Sequence, residues 1–252
     1  MPKEYTECHI AFIDILGFKN LVMNEQCDYL YNVFQQIRVS SQTGFDLNND
    51  FVSAFLFVKH YVMSDSIILY IDASIKDSFF ALVRTCQFLQ MSLLTMDTPI
   101  LVRGGITSGS IFSENEIIYG KGLVNSYLLE ENTAIHPRII FTKQTLDNGR
   151  QNYEKIKPGI DSLAFYKDHD ELYSINYMSL DFFIDREYAA KYLDNILTYC
   201  QANIDRETND AIRNKYLWLK EKSIILAQAK AGMLKLTDIG KKVADKWNIK
   251  VE

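Results

Sequence analysis

Residues 61 to 71 read YVMSDSIILYI, where Asp65 interrupts two apolar runs with the composition of buried strand. A carboxylate in such a setting is costly unless a cation or a set of donors meets it. A second acid in a similar setting is Asp14, in CHIAFIDILGF. Two carboxylates forced together in mostly apolar surroundings raise one another's pKa unless a divalent cation neutralises them. Magnesium and manganese take hard oxygen ligands from few carboxylates and keep an open side for phosphate oxygens. The chemistry open to this pair is therefore metal-assisted reaction at a phosphate group. Taken singly, Asp14 also suits the turn before Gly17, and Asp65 an ordinary turn.

The pair works only if the chain places the two acids side by side. CHIAFIDI is short, apolar and β-branched and stops at Gly17, so it predicts a buried strand. From FKNLVM to VFQQIRV the apolar residues return at helical spacing, with Leu30, Val33, Phe34 and Ile37 on one face. FVSAFLFVKHYVM predicts a strand and DSIILYI a second, antiparallel to it after a tight connection. Residues 74 to 96 recover helical period; ILVRGGITSGSIF and EIIYG are strands, GLVNSYLLEEN a helix and PRIIF a strand. The order β-α-β-β-α-β is the split arrangement of an α+β ferredoxin-like domain. There the end of the first strand and the turn of the central hairpin are neighbours at the same edge of the sheet, so Asp14 and Asp65 face each other. LYSINYM predicts an edge strand, and the segment from Asp185 to Trp247 is mostly helical. The expected organisation is a catalytic domain over residues 1–180 and a helical extension over 181–252 packed on the core.

Composition narrows the function classes. Of 252 residues, 48% are hydrophobic and 13% aromatic, with only four prolines and eleven glycines, which excludes a disordered chain. A net charge of −5 argues against a nucleic-acid surface. The N-terminus lacks a basic region followed by an uninterrupted apolar one, and the apolar runs elsewhere are too short to span a bilayer, so a cytoplasmic protein is expected without membrane attachment. Cys8, Cys27, Cys86 and Cys200 contain no C-x-x-C pair, and His9, His60, His136 and His169 show no metal spacing.

FIDILGF, YVMSDSI, VRGGITSG and GLVNSYLLE fall in the order and spacing of the class III nucleotide cyclases, which the chain resembles over roughly residues 8 to 142. With the helical tail around NKYLWLKEK, it looks most like the bacterial pyrimidine cyclases of the Pycsar antiphage systems. The resemblance implies a class III cyclase core converting UTP to 3',5'-cyclic UMP and pyrophosphate, with a separate effector reading the messenger. Asp14 and Asp65 would bind two manganese or magnesium ions, and the main-chain carbonyl of Ile15 would be a further ligand. Arg103 matches an arginine that contacts the polyphosphate, and Asn125 the asparagine that positions the ribose. Phe18 and Tyr61 complete the implied substrate contacts. Because the family divides each site between two protomers, a homodimer with composite sites is implied.

Two departures from the family pattern stand out. One turn after Asn125 the family places an arginine that steadies the transition state, where this chain has Leu129; either Lys121 or Arg138 replaces it or the site depends more heavily on the metals. Tyr61 stands where purine cyclases carry a base-reading lysine or glutamate, and Ile117 or Ile118 where they carry an aspartate or cysteine. Tyrosine leaves room for a single-ring base, so both departures point away from ATP. The alternatives are a cytidylate cyclase making cyclic CMP and a degenerate cyclase fold that binds a nucleotide as a sensor. A GGDEF-like diguanylate cyclase ranks last, since MSDSI lacks its turn motif.

Overall fold

The computed structural model describes residues 3–42, 52–151 and 164–250. The chain divides into two compact units, Met1–Tyr177 and Met178–Glu252.

In the first unit β1 (Thr6–Ile15) leads into α1 (Phe18–Asn24), α2 (Cys27–Gln42) and α3 (Val52–Phe55). The hairpin β2 (Lys59–Met63) and β3 (Ser66–Asp72) is followed by α4 (Ser78–Leu94), β4 (Val102–Glu114), β5 (Ile117–Tyr119) and α5 (Lys121–Thr133). Then come β6 (Ile139–Phe141), α6 (Lys143–Arg150), β7 (Phe165–Lys167) and β8 (Tyr173–Ile175). The described strands form one sheet in the order β2-β3-β1-β4-β6-β8-β7, with β5 paired to β4. Its first four strands, in the order β2-β3-β1-β4, give the ferredoxin-like arrangement of the α+β class.

Successive side chains of β1 point to opposite faces, and both faces are covered. Ala11, Ile13 and Ile15 join Ile67, Leu69, Val33, Ile37, Leu82 and Leu89 in the core beneath α2 and α4. Cys8 and Ile10 join Ile68, Tyr70 and Ile111 on the other face, with Phe12, Tyr61, Ile118 and Leu123 against them. Each fully buried aliphatic side chain contributes about 1.5–3 kcal/mol, so both layers hold β1 in place.

Two sequence expectations are corrected. FVSAFLFVKHYVM is not one strand: Val52–Phe55 is helical, and the strand begins at Lys59. A continuous apolar run has no period that distinguishes helix from buried strand. The first residue of that segment, Phe51, lies outside the described residues. LYSINYM does not supply an edge strand either, because β8 lies between β6 and β7. The edge is Phe165–Lys167, too short a segment to carry a recognisable period.

The second unit contains α7 (Arg186–Arg206), α8 (Asp210–Gln228), α9 (Ala231–Leu234) and α10 (Asp238–Lys246). Ala190, Leu193 and Leu197 pack with Ala227, Leu234, Val243 and Ala244. Asp185 caps α7 by accepting from the amides of Glu187 and Tyr188, and Asn209 caps α8 from Ala211 and Ile212. No helix among the described residues is long and apolar enough to cross a membrane.

Candidate active site

Strand register brings the two aspartates together. Asp14 pairs with Ser66 of β3 on one side and with Arg103 of β4 on the other. Asp65 precedes Ser66 in the β2–β3 turn, where Ser64 adopts a left-handed φ of 58°. The Ile15 amide donates to the Asp65 carbonyl at 3.0 Å, which ties the turn to the end of β1. Asp14 and Asp65 thus sit on neighbouring strands at one end of the sheet.

Arg103 joins them from β4. Its Nε donates to Asp14 Oδ2 at 3.4 Å, and its Nη1 to the Ala134 carbonyl at 3.4 Å. Its Nε also lies 2.7 Å from Oε1 of Glu130, but the N–H is not aimed there, so this contact is an ion pair without an aligned hydrogen bond. Glu130, on α5, is only 2% exposed. Burial pushes its carboxyl up to about 7; Arg103 pulls it down, and Asp14, Glu131 and Asp65 push it further up.

Two glycines of VRGGITSG let α5 come this close. A Cβ on Gly105 would lie 2.7 Å from the Ser126 carbonyl oxygen and 2.9 Å from the Glu130 nitrogen, and one on Gly109 would lie 3.0 Å from the Gly122 Cα. Glu130 is the site residue that the sequence reasoning missed. Its sequence signal is an acid at a position of α5 that the helical period turns toward Gly105, where a solvated residue has no place.

Arg103 is ion-paired with Asp14 and Glu130, and the charge of Asp65 is felt at Glu130. Aspartate carboxylates and a main-chain carbonyl such as that of Ile15 are hard oxygens, the donor type that magnesium and manganese take, and a divalent charge would offset the excess of acid. Among the described residues no group of three or more His, Cys, Asp and Glu is placed to hold a metal ion.

No protein-family model matches the sequence, and no curated protein matches it. Solved structures do match. The chain is similar to the guanylyl cyclase domain of the RhoGC fusion protein from the aquatic fungus Blastocladiella emersonii, at 13% identity and a TM-score of 0.50, over 69% of this chain and 96% of that one. It is also similar to an adenylate/guanylate cyclase/hydrolase from Silicibacter pomeroyi, at 16% identity and a TM-score of 0.41, over 69% and 96%. The fold is that of the class III nucleotide cyclases.

Within the cyclase fold the remaining expected site residues are spread out. Phe18 opens α1, with its ring 6.0 Å from that of Phe34 in an edge contact at the margin of the main core. Tyr61, half-buried on β2, stacks on Tyr70 and shares a hydrogen bond with Ser113 at 3.1 Å. Asn125 is exposed on α5, beside Val124, Tyr127 and Leu128, which are 53%, 39% and 44% exposed. Asp14, Asp65 and Arg103 are therefore gathered in one corner, while Asn125 faces outward.

Of the two cations considered in place of Leu129, Arg138 is disqualified. Only 4% of its side chain is exposed, and it is bonded to Asp168 at 3.0 Å, to Asp170 and to Ser174 at 3.2 Å. A guanidinium that is itself buried and spent on two carboxylates is not available to a phosphate. Lys121 is exposed at the first position of α5. Ile118 packs in the cluster that holds Tyr61, whereas Ile117 is 57% exposed.

Proposed function

We propose that this chain is a pyrimidine nucleotide cyclase that converts UTP to 3',5'-cyclic UMP and pyrophosphate in its class III cyclase fold. The carrying observation is the convergence of Asp14 and Asp65 on adjacent strand ends beside Arg103. The ribose 3'-oxygen bonds to the α-phosphorus as the α–β phosphoanhydride bond breaks; pyrophosphate leaves and the hydroxyl proton passes to solvent. Asp14, Asp65 and the Ile15 carbonyl would hold two manganese or magnesium ions. Bound there, the ions supply acidity to the 3'-hydroxyl and neutralise charge on the leaving pyrophosphate. Arg103 binds the polyphosphate, with Glu130 behind it fixing the guanidinium. Tyr61 limits the base to one ring, Phe18 closes that side of the substrate site and Asn125 orients the ribose.

Asn125 points out of the subunit that carries it, among exposed apolar neighbours, which supports a homodimer whose two sites each draw on both protomers. We assign catalysis to residues 1–180 and a helical extension to residues 181–252. The messenger role in antiphage defence and the downstream effector rest on the resemblance of the motifs, and the cytoplasmic location on the shortness of the apolar runs and the character of the N-terminus. CTP is the alternative substrate. A second reading, a nucleotide-binding sensor without turnover, is favoured by Leu129 and by the engagement of Arg103 with two carboxylates.

Turnover with manganese and each of the four ribonucleoside triphosphates separates these readings. Pyrophosphate release and a cyclic product from UTP are expected. Tight binding of UTP with no product would leave only the sensor.

A further inference from the structure

Three hydroxyls from three strands meet on the sheet face away from α2 and α4. Tyr61 Oη of β2 lies 3.1 Å from Ser113 Oγ of β4, and Tyr70 Oη of β3 lies 2.6 Å from the same atom. The two rings stack with centroids 6.0 Å apart and planes 16° from parallel. Ser113 reaches them because β4 runs past the start of β1, where Ile111 pairs with Thr6, before turning through Asn115 and Glu116 into β5. Tyr61, Tyr70, Ile68 and Ile118 line a cavity of about 1170 Å³.

Each of the three hydroxyls carries one proton, and their order follows from burial. Tyr70 is 5% exposed, so its hydroxyl proton needs an acceptor, and Ser113 Oγ at 2.6 Å is placed to take it. The arrangement that uses every donor then has Ser113 donating to Tyr61 Oη, which leaves the Tyr61 proton directed into the cavity. Hydrogen bonds aligned in one direction polarise and strengthen one another.

We propose that Ser113 is a positioning residue for base specificity: through the chain Tyr70 to Ser113 to Tyr61 it fixes the Tyr61 hydroxyl as a donor toward a pyrimidine edge. The O4 carbonyl of uracil accepts that proton; the amino group of cytosine, itself a donor at the same place, does not. This rests on the cyclase reading with Tyr61 at the base, and it supplies a physical reason for UTP over CTP. A site built to bond one polar group discriminates strongly against a ligand that leaves its buried donor unpaired.

The test compares kcat/KM and the calorimetric Kd for UTP and CTP, with manganese, in the wild type, S113A, S113T, Y70F and Y61F. The wild type should favour UTP by about 10–100-fold in both measurements. S113A, Y70F and Y61F should bring the ratio near one, while S113T, which keeps the hydroxyl, should retain most of it. A merely structural role would lower both substrates together and leave the ratio unmoved. The proposal is overturned by a wild type without UTP preference or by an unchanged ratio in S113A; if S113A does not fold, Y70F and Y61F decide the same ratio. Turnover accompanied by either overturning result leaves the cyclase reading standing. Selective UTP binding lost in S113A, without any turnover, supports the relay and removes the cyclase.

Discussion

The first unit contains two clusters in which an arginine meets carboxylates, and they are built to opposite rules. Around Arg138, Asp168, Asp170 and Ser174 converge on a guanidinium whose side chain is 4% exposed. Around Arg103, the bonds to Asp14 and Ala134 are long, the contact with Glu130 is unaligned, and the side chain is 24% exposed. Burial between two carboxylates locks the first cluster, which ties the start of β6 to the turn between β7 and β8. The second is partly exposed at one end of the sheet, and its long or unaligned contacts can rearrange around a ligand, which separates a site from a locked structural ion pair.

The strongest way to break this contrast is to remove the acids of the open cluster. Asp14→Asn and Asp65→Asn should each lower turnover of UTP by on the order of 1000-fold, about 4 kcal/mol in the activation barrier. Their melting temperatures should stay at or slightly above the wild-type value, since each substitution removes a charge from a corner crowded with acid. Pyrophosphate release and thermal unfolding followed by circular dichroism read the two effects separately. If both variants keep activity within a few fold, the open cluster is not the site of chemistry.

The closed cluster should respond in the reverse sense. Arg138→Ala removes the cation that Asp168 and Asp170 share and should cost about 3 kcal/mol of stability, the range for breaking a buried pair. Activity per folded molecule should change little, because this guanidinium has no route to a substrate. A loss of turnover in protein that remains folded would instead restore Arg138 as the stand-in for Leu129. A denaturation midpoint and a rate measured on the same sample settle which holds.

How much of this contrast could be read in the sequence follows from the range of the interactions. Asp14 and Asp65 were legible because each interrupts an apolar run and because the βαββαβ order dictates which strand ends meet. Val52–Phe55, the strand β7 and the inner place of β8 were not, since an all-apolar run has no period and a three-residue strand takes its place from partners distant in the chain. Arg138 and Arg103 both stand among apolar residues, in PRIIF and LVRGGI, and the composition of their flanks does not separate them. What separates them is the exposure of the arginine itself, 4% of the side chain at Arg138 against 24% at Arg103, a property of packing alone. Glu130 was missed for the same reason: GLVNSYLLEEN shows adjacent acids, and only the close approach of α5 at Gly105 buries the first of them.

Glu130 sharpens the comparison most finely, because it sets stability against function in a single residue. Its carboxyl has a pKa raised to about 7 from an ordinary 4.5, chiefly by burial. A group raised in this way favours the folded state fully below pH 4.5, and that contribution fades as the pH climbs through 7. In metal-free protein the difference amounts to about 3 kcal/mol between pH 4.5 and pH 8. Glu130→Gln keeps the shape and abolishes the titration, so its stability should be the less pH-dependent of the two and should exceed the wild type at pH 8. Its turnover should nevertheless fall by about 10–100-fold, the usual effect of losing the partner that orients a functional side chain. Thermal melts in chelator from pH 5 to 8, beside rates at pH 8, would show both. A variant less stable than the wild type at pH 8 would mean that the Arg103 charge outweighs desolvation, making this corner another structural ion pair like the one at Arg138.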